Sequence, residues 1–232
     1  MAEEIISLES PIDAIYLIHK ALRAEAVSVE NMVNGLKIGG SLQPFKLAFN
    51  SWATALVYHA EQEDQYLMGP ADQFQPSEYP EPGHSEPSGD SVGPEESSAA
   101  DDPSGLMARV RWTLAAQEEE MHRELVAKVE DVLTVLEEDI GTTSVILRTR
   151  QHLYRQVVAL RIALEDHLDT EEALVVPRVR QRMDEQQQLE LARGLLIDQE
   201  AQDPRWMMDW VTQRLTPEER ELLVKLEDRF RG

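Results

Sequence analysis

The sequence predicts an all-α fold: an up-down-up-down four-helix bundle with a long acidic insertion between its second and third helices and a short helical C-terminal extension. Three observations lead there. Leu, Ala, Glu, Gln and Arg, all good helix formers, dominate the chain. Alternating runs of Val, Ile and Thr that would make strands are hard to find. Four long segments repeat apolar residues in steps of three and four, the cadence of a helix buried along one stripe.

The first helix is expected from about Pro11 to Val33, with Ser10 as its N-cap and Pro11 in the first turn, where the missing N–H is harmless. Asn34-Gly35 and Gly39-Gly40 break the pattern. The second runs from about Pro44 to Met68 and stops at Gly69-Pro70. From 70 to 104 the chain carries Pro70, Pro76, Pro80, Pro82, Pro87, Pro94 and Pro103, many acids, and neither Lys nor Arg. Such a stretch buries too little apolar surface to offset its ordering entropy, so it reads as an irregular insertion.

The third helix is expected from about Leu106 to Ile140 and the fourth from about Ser144 to Met183, with Pro177 interrupting the latter. One domain, 1–183, therefore holds the four helices. Residues 184–232 read as two or three short helices packed on it, with Thr216-Pro217-Glu218-Glu219 a strong helix start. The Trp206, Met207 and Trp210 cluster in this extension is expected to cap the bundle, with a dimer interface as the alternative.

Composition narrows the function. Acidic residues number 44 against 22 basic ones, for a net charge of −22. Nucleic-acid binding needs clustered Lys and Arg, so neither nucleic acid nor an anionic membrane surface is an expected partner. The chain has no cysteine, which removes disulfides, zinc fingers and iron–sulfur clusters. No segment reaches the roughly 20 apolar residues of a membrane span, and Met1–Ser10 has no signal-peptide pattern. A cytoplasmic protein, monomeric or homodimeric, is the expectation.

The chemistry lies on the inward stripes. The fourth helix gives Leu153, Val157, Leu160, Leu164, His167, Glu171 and Leu174; the second gives Phe45, Phe49, Trp52, Leu56, His59, Glu63 and Leu67. The first gives Ile12, Ile15, His19, Leu22, Ala26 and Val29. The third gives His122, Leu125, Val129, Val132 and Leu136, and Glu118 lies on the same seam one turn before His122. Each helix thus carries one inward His, and two carry a Glu one turn onward. Residues at i and i+4 share a face about 6 Å apart along the axis, so both can converge on one centre.

A lone seam histidine is ordinarily a satisfied core residue. A layer of four histidines and two glutamates is different, because unpaired buried carboxylates cost several kcal/mol each. Metal ions neutralise the carboxylates and accept the imidazole lone pairs. With no thiolate, the donor set suits iron, manganese or zinc. Six donors are too many for one zinc but suit two ions, with Glu63 and Glu171 bridging and His19, His59, His122 and His167 terminal. His152 is off the seam and about four turns from His167, and His84 falls in the insertion. Tyr16 and Tyr58 stand near seam histidines, with packing the expected role.

At His19, His59-Ala-Glu-Gln-Glu63, Glu120-Met-His122 and His167-Leu-Asp-Thr-Glu171-Glu172 the sequence resembles the hemerythrin-like (HHE cation-binding) family over about 11–183, less the insertion. The resemblance implies a left-handed bundle with an oxo- or hydroxo-bridged, non-haem di-iron site. Oxygen-carrying hemerythrins have an H-x-x-x-H pair on the third helix, where this chain has only His122, with Glu118 as a candidate replacement ligand. The spacing of the carboxylate on the fourth helix also departs from theirs, and the insertion and extension lie outside the pattern.

The expected function is therefore binding or sensing of dioxygen or iron. The alternative is a di-iron enzyme, catalase-like or an oxidase, acting on peroxide or another small oxidant. A ferritin-like ferroxidase fits less well, since that architecture wants a Glu-x-x-His motif on two helices and on the expected helices the motif occurs only at Glu119–His122. A metal-free interaction scaffold leaves the polar layer unexplained.

Overall fold

The computed structural model describes residues 5–65, 103–138 and 146–230, with 103–118 described by their backbone alone. Every regular element among them is helical. A 3₁₀ turn at Pro11–Asp13 leads into α1 (Ala14–Asn34), followed by α2 (Gln43–Glu63), α3 (Pro103–Glu138) and α4 (Leu147–Thr170). A π-helical turn, Glu171–Val175, joins α4 to α5 (Val176–Arg182). The extension folds as α6 (Glu185–Leu196), α7 (Trp206–Thr212) and α8 (Pro217–Arg229).

The chain enters α1 through a small polar knot. The Asp13 carboxylate accepts from the Ser10 hydroxyl and from the backbone N–H groups of Glu9 and Ser10. The same carboxylate accepts two bonds from the Arg180 guanidinium, tying the start of α1 to α5. Later helices start on the signals that sequence reasoning uses. Asp184 and Thr216 cap α6 and α8, each reciprocated by a side chain three residues on, Gln187 and Glu219.

The principal helix pairings are α1 with α2, α2 with α3, α3 with α4, and α4 with α1. The seams meet in one core in which Ile15, Leu22, Phe45, Phe49, Trp52, Leu56, Val132, Leu153, Leu160 and Leu164 are inaccessible to solvent or nearly so. Phe49 stacks on Phe45 and meets Trp52 edge-on. Burial of each large apolar side chain contributes about 1.5–3 kcal/mol, so this core can support a polar layer elsewhere along the helices.

Two expectations need correction. The third helix begins at Pro103, three residues before the expected Leu106, because proline is well accommodated in a first helical turn. Leu174, expected on the inward stripe, is 40% exposed, whereas Val176 is buried. The π turn explains the shift. Pro177 offers no N–H to the helix, and its ring would collide with the carbonyl four residues earlier. The chain absorbs this as a wider turn in which the Val176 N–H bonds to the Glu171 carbonyl, so the seam slips after Glu171. Leu67, the insertion up to 102, and His84 lie outside the described residues.

The extension covers α1 and α2. α6 packs on α2 and on the 3₁₀ turn, and α7 packs on α1. Met207 and Trp210 are buried, and the Trp210 indole N–H donates to Ser51 Oγ at 3.0 Å. Arg214 lies 3.8 Å above the Trp210 ring and bonds Glu25 of α1. No described helix is long and apolar enough to cross a membrane.

Candidate metal centre

The polar layer forms where the four stripes carry their histidines. α1 brings His19, α2 brings His59 and Glu63, α3 brings His122, α4 brings His167, and the first residue of the π turn is Glu171. All six are buried; His122, the most accessible, is 5% exposed. Glu63 Oε1 lies 3.0 Å from His59 Nε2, and its Oε2 lies 3.4 Å from His122 Nε2. Glu171 Oε2 lies 3.3 Å from His19 Nε2 and 3.5 Å from His167 Nε2. The rings pair edge-on, His19 with His59 at 5.2 Å and His122 with His167 at 4.7 Å between centroids.

These atoms divide into two clusters, each able to hold a metal ion: His19, His59, Glu63 and Glu171, and Glu63, His122, His167 and Glu171. Within each, one ligand atom from every residue lies within 4.8 Å of the others. Both carboxylates belong to both clusters. Although the inward atoms are close, they do not aim along hydrogen-bond directions. His19 Nε2, both nitrogens of His59, both Glu63 oxygens, His122 Nε2 and Glu171 Oε2 are buried without a hydrogen-bond partner. Buried polar atoms are almost always paired, so a group of this size calls for a further occupant. Nitrogen and carboxylate oxygen donors converging on a dry point fit a cation of the iron, manganese or zinc type.

Outside the clusters, two of the four histidines are oriented by acids. His19 Nδ1 lies 2.8 Å from Glu172 Oε1, and His122 Nδ1 lies 2.7 Å from Asp64 Oδ1. A proton on each Nδ1 donates to the acid and leaves the Nε2 lone pair facing inward, the arrangement of a metal-ligating histidine. Glu172 also accepts from Arg23, whose other amino group bonds Asp169.

Electrostatics of the polar layer follow from this geometry. Burial alone would lower the pKa of His19, but contact with the Glu171 and Glu172 carboxylates raises it to about 9. His122 is likewise raised to about 9 against its burial, by Glu63 and Asp64. Glu63 is held down at about 2 by His122 and His167 despite burial. His59 is lowered by burial and by the charge on His19. Protons on His19 and His122 thus offset part of the negative charge of the carboxylates.

Of the residues singled out from the sequence, His19, His59, Glu63, His122, His167 and Glu171 come together. The Glu118 side chain lies outside the described residues. His152 is exposed. Tyr58 is buried, but its hydroxyl donates to the Gly194 carbonyl at 2.7 Å and its ring packs on Trp206. Tyr16 lies beneath the Arg180 guanidinium. The residues that sequence reasoning missed are Asp64, Glu172 and Arg23. A signal for the acids was present, because each seam glutamate is followed at once by a second acid, Glu63-Asp64 and Glu171-Glu172.

No protein-family model, curated protein or solved structure matches the chain. The residues of the site therefore carry the functional reading by themselves.

Proposed function

We propose that the chain is a hemerythrin-like protein: a four-helix, up-down-up-down bundle that holds two non-haem iron ions and binds or senses dioxygen or iron through them. The observation that carries this reading is the sharing of Glu63 and Glu171 between two clusters of buried donors. A single-ion site has no use for two carboxylates that each face histidines of both clusters, whereas a pair of ions bridged by carboxylates does.

In this reading His19 and His59 would hold one ion and His122 and His167 the other, with Glu63 and Glu171 available to both. Asp64 and Glu172 keep His122 and His19 in the tautomer that presents Nε2. The apolar stripes on either side keep the layer away from bulk water. Iron bound among imidazoles and carboxylates supplies reversible one-electron chemistry with dioxygen or peroxide.

Peroxide turnover needs groups that deliver protons to the reacting ligand. The Tyr58 hydroxyl is committed to Gly194, on the side facing the extension. Binding or sensing is accordingly the better supported function. Metal analysis of protein purified from iron-supplemented cells tests it: about two irons per chain are expected. Absence of stoichiometric metal from folded protein would overturn the reading in favour of a helical scaffold.

A further inference from the structure

The two clusters look alike in their inward donors but differ in what stands behind them. Behind His19, Glu172 is three-quarters buried, with 27% of its side chain exposed, and is held by Arg23 at 2.6 Å. Arg23 in turn bonds Asp169 on the last turn of α4. The acid that orients His19 is thus fixed from two sides. Behind His122, Asp64 is 44% exposed, sits one residue past the end of α2, and has no cation on it among the described residues.

Resting on the two-ion reading above, we infer that Asp64 and Glu172 are positioning residues that make the two metal positions unequal. The His19/His59 position fills first and releases its ion slowly; the His122/His167 position is the exchangeable one. The physical reason is preorganisation. A ligand already locked in its binding rotamer loses little freedom when the ion arrives. His19, held by the Glu172–Arg23–Asp169 chain, is such a ligand. His122 depends on a half-exposed carboxylate that must be immobilised together with it. Partners of this kind typically alter metal affinity by about 10–100-fold.

The test is a titration of the full-length, metal-stripped protein with Co(II), whose visible bands report coordination, followed by chelator-driven release. Two binding steps and two release phases are expected for the natural chain. Glu172→Ala should weaken the tighter step by about 10–100-fold and accelerate the slow phase, and Glu172→Gln, which keeps an acceptor, should restore most of the loss. Asp64→Ala should affect only the weaker step. Arg23→Gln leaves Glu172 in place but unclamped and should bring the tight step close to the weak one, even if Glu172→Ala fails to fold. Equal effects of both acids on both steps, or no effect of either, would overturn the inference while leaving two-ion binding intact. A natural chain that takes up fewer than two ions would overturn the two-ion reading itself.

Discussion

The Glu63 carboxylate reaches from α2 to α3 and sets its Oε2 3.4 Å from His122 Nε2, while its other oxygen lies 3.0 Å from His59 Nε2 on its own helix. One side chain thus faces histidines of two helices, and no hydrogen bond satisfies either oxygen. Glu63→Gln keeps the shape and removes the charge that a pair of cations requires. Iron per chain, measured by elemental analysis, should fall from about two to below one. His152→Ala, at an exposed position on the same α4 that carries His167, should leave iron content unchanged. Retention of full iron by Glu63→Gln would remove the carboxylate from the centre.

Metal removal should be visible in stability. An ion that binds only the folded chain stabilises it by about 2.7 kcal/mol when present at a hundred times its dissociation constant. For a protein of this size that corresponds to a rise in Tm on the order of 5–10 °C. Iron-loaded and chelator-stripped samples compared by calorimetry should differ by this amount. Coincident melting curves would mean that the layer of histidines and glutamates is satisfied by protons alone.

Much of this centre was legible in the sequence because a helix converts spacing directly into direction. His59 and Glu63, or His167 and Glu171, fall on one face whatever surrounds them. What could not be read is whatever depends on neighbouring helices. The bonds from Asp64 to His122 and from Glu172 to His19 cross between elements that are remote in sequence. Leu174 failed for a local reason: the π turn widens the helix ahead of Pro177, and a strict count of three and four overruns it.

Stability should also carry an acid-sensitive component that is independent of the metal. The Glu219 carboxylate is fully buried; it accepts from the backbone N–H groups of Ile5 and Thr216 and pairs with Lys20. Burial alone would raise its pKa, but Lys20 and the two N–H groups hold it below the usual 4.5. The folded chain therefore binds this proton less tightly than the unfolded chain. The stabilisation is complete above about pH 4.5 and fades as pH falls through the lowered value. Glu219→Gln should cost about 1.5–3 kcal/mol at pH 7, the worth of hydrogen bonds to a charged group. In urea melts the gap between the two proteins should narrow as pH drops below 4.5. A gap that stays constant with pH would assign the loss to packing.

Tyr58 separates the two functional readings, since it stands beside His59 and is the nearest buried phenol in the chain sequence to a seam histidine on α2. Its hydroxyl bonds the Gly194 carbonyl of α6, and its ring packs against Trp206 at the start of α7. This makes it a tie between the site-bearing helix and the extension, with its proton directed to Gly194 and not to the layer of histidines and glutamates. Tyr58→Phe should lose roughly 1–2 kcal/mol of stability, because a buried carbonyl forfeits its donor. Iron content and the rate at which the ferrous protein responds to dioxygen should not move. If peroxide consumption were present in the natural chain and fell a hundredfold or so in Tyr58→Phe, as loss of a general acid would require, the phenol would be delivering protons to the centre and an enzyme would be the better description.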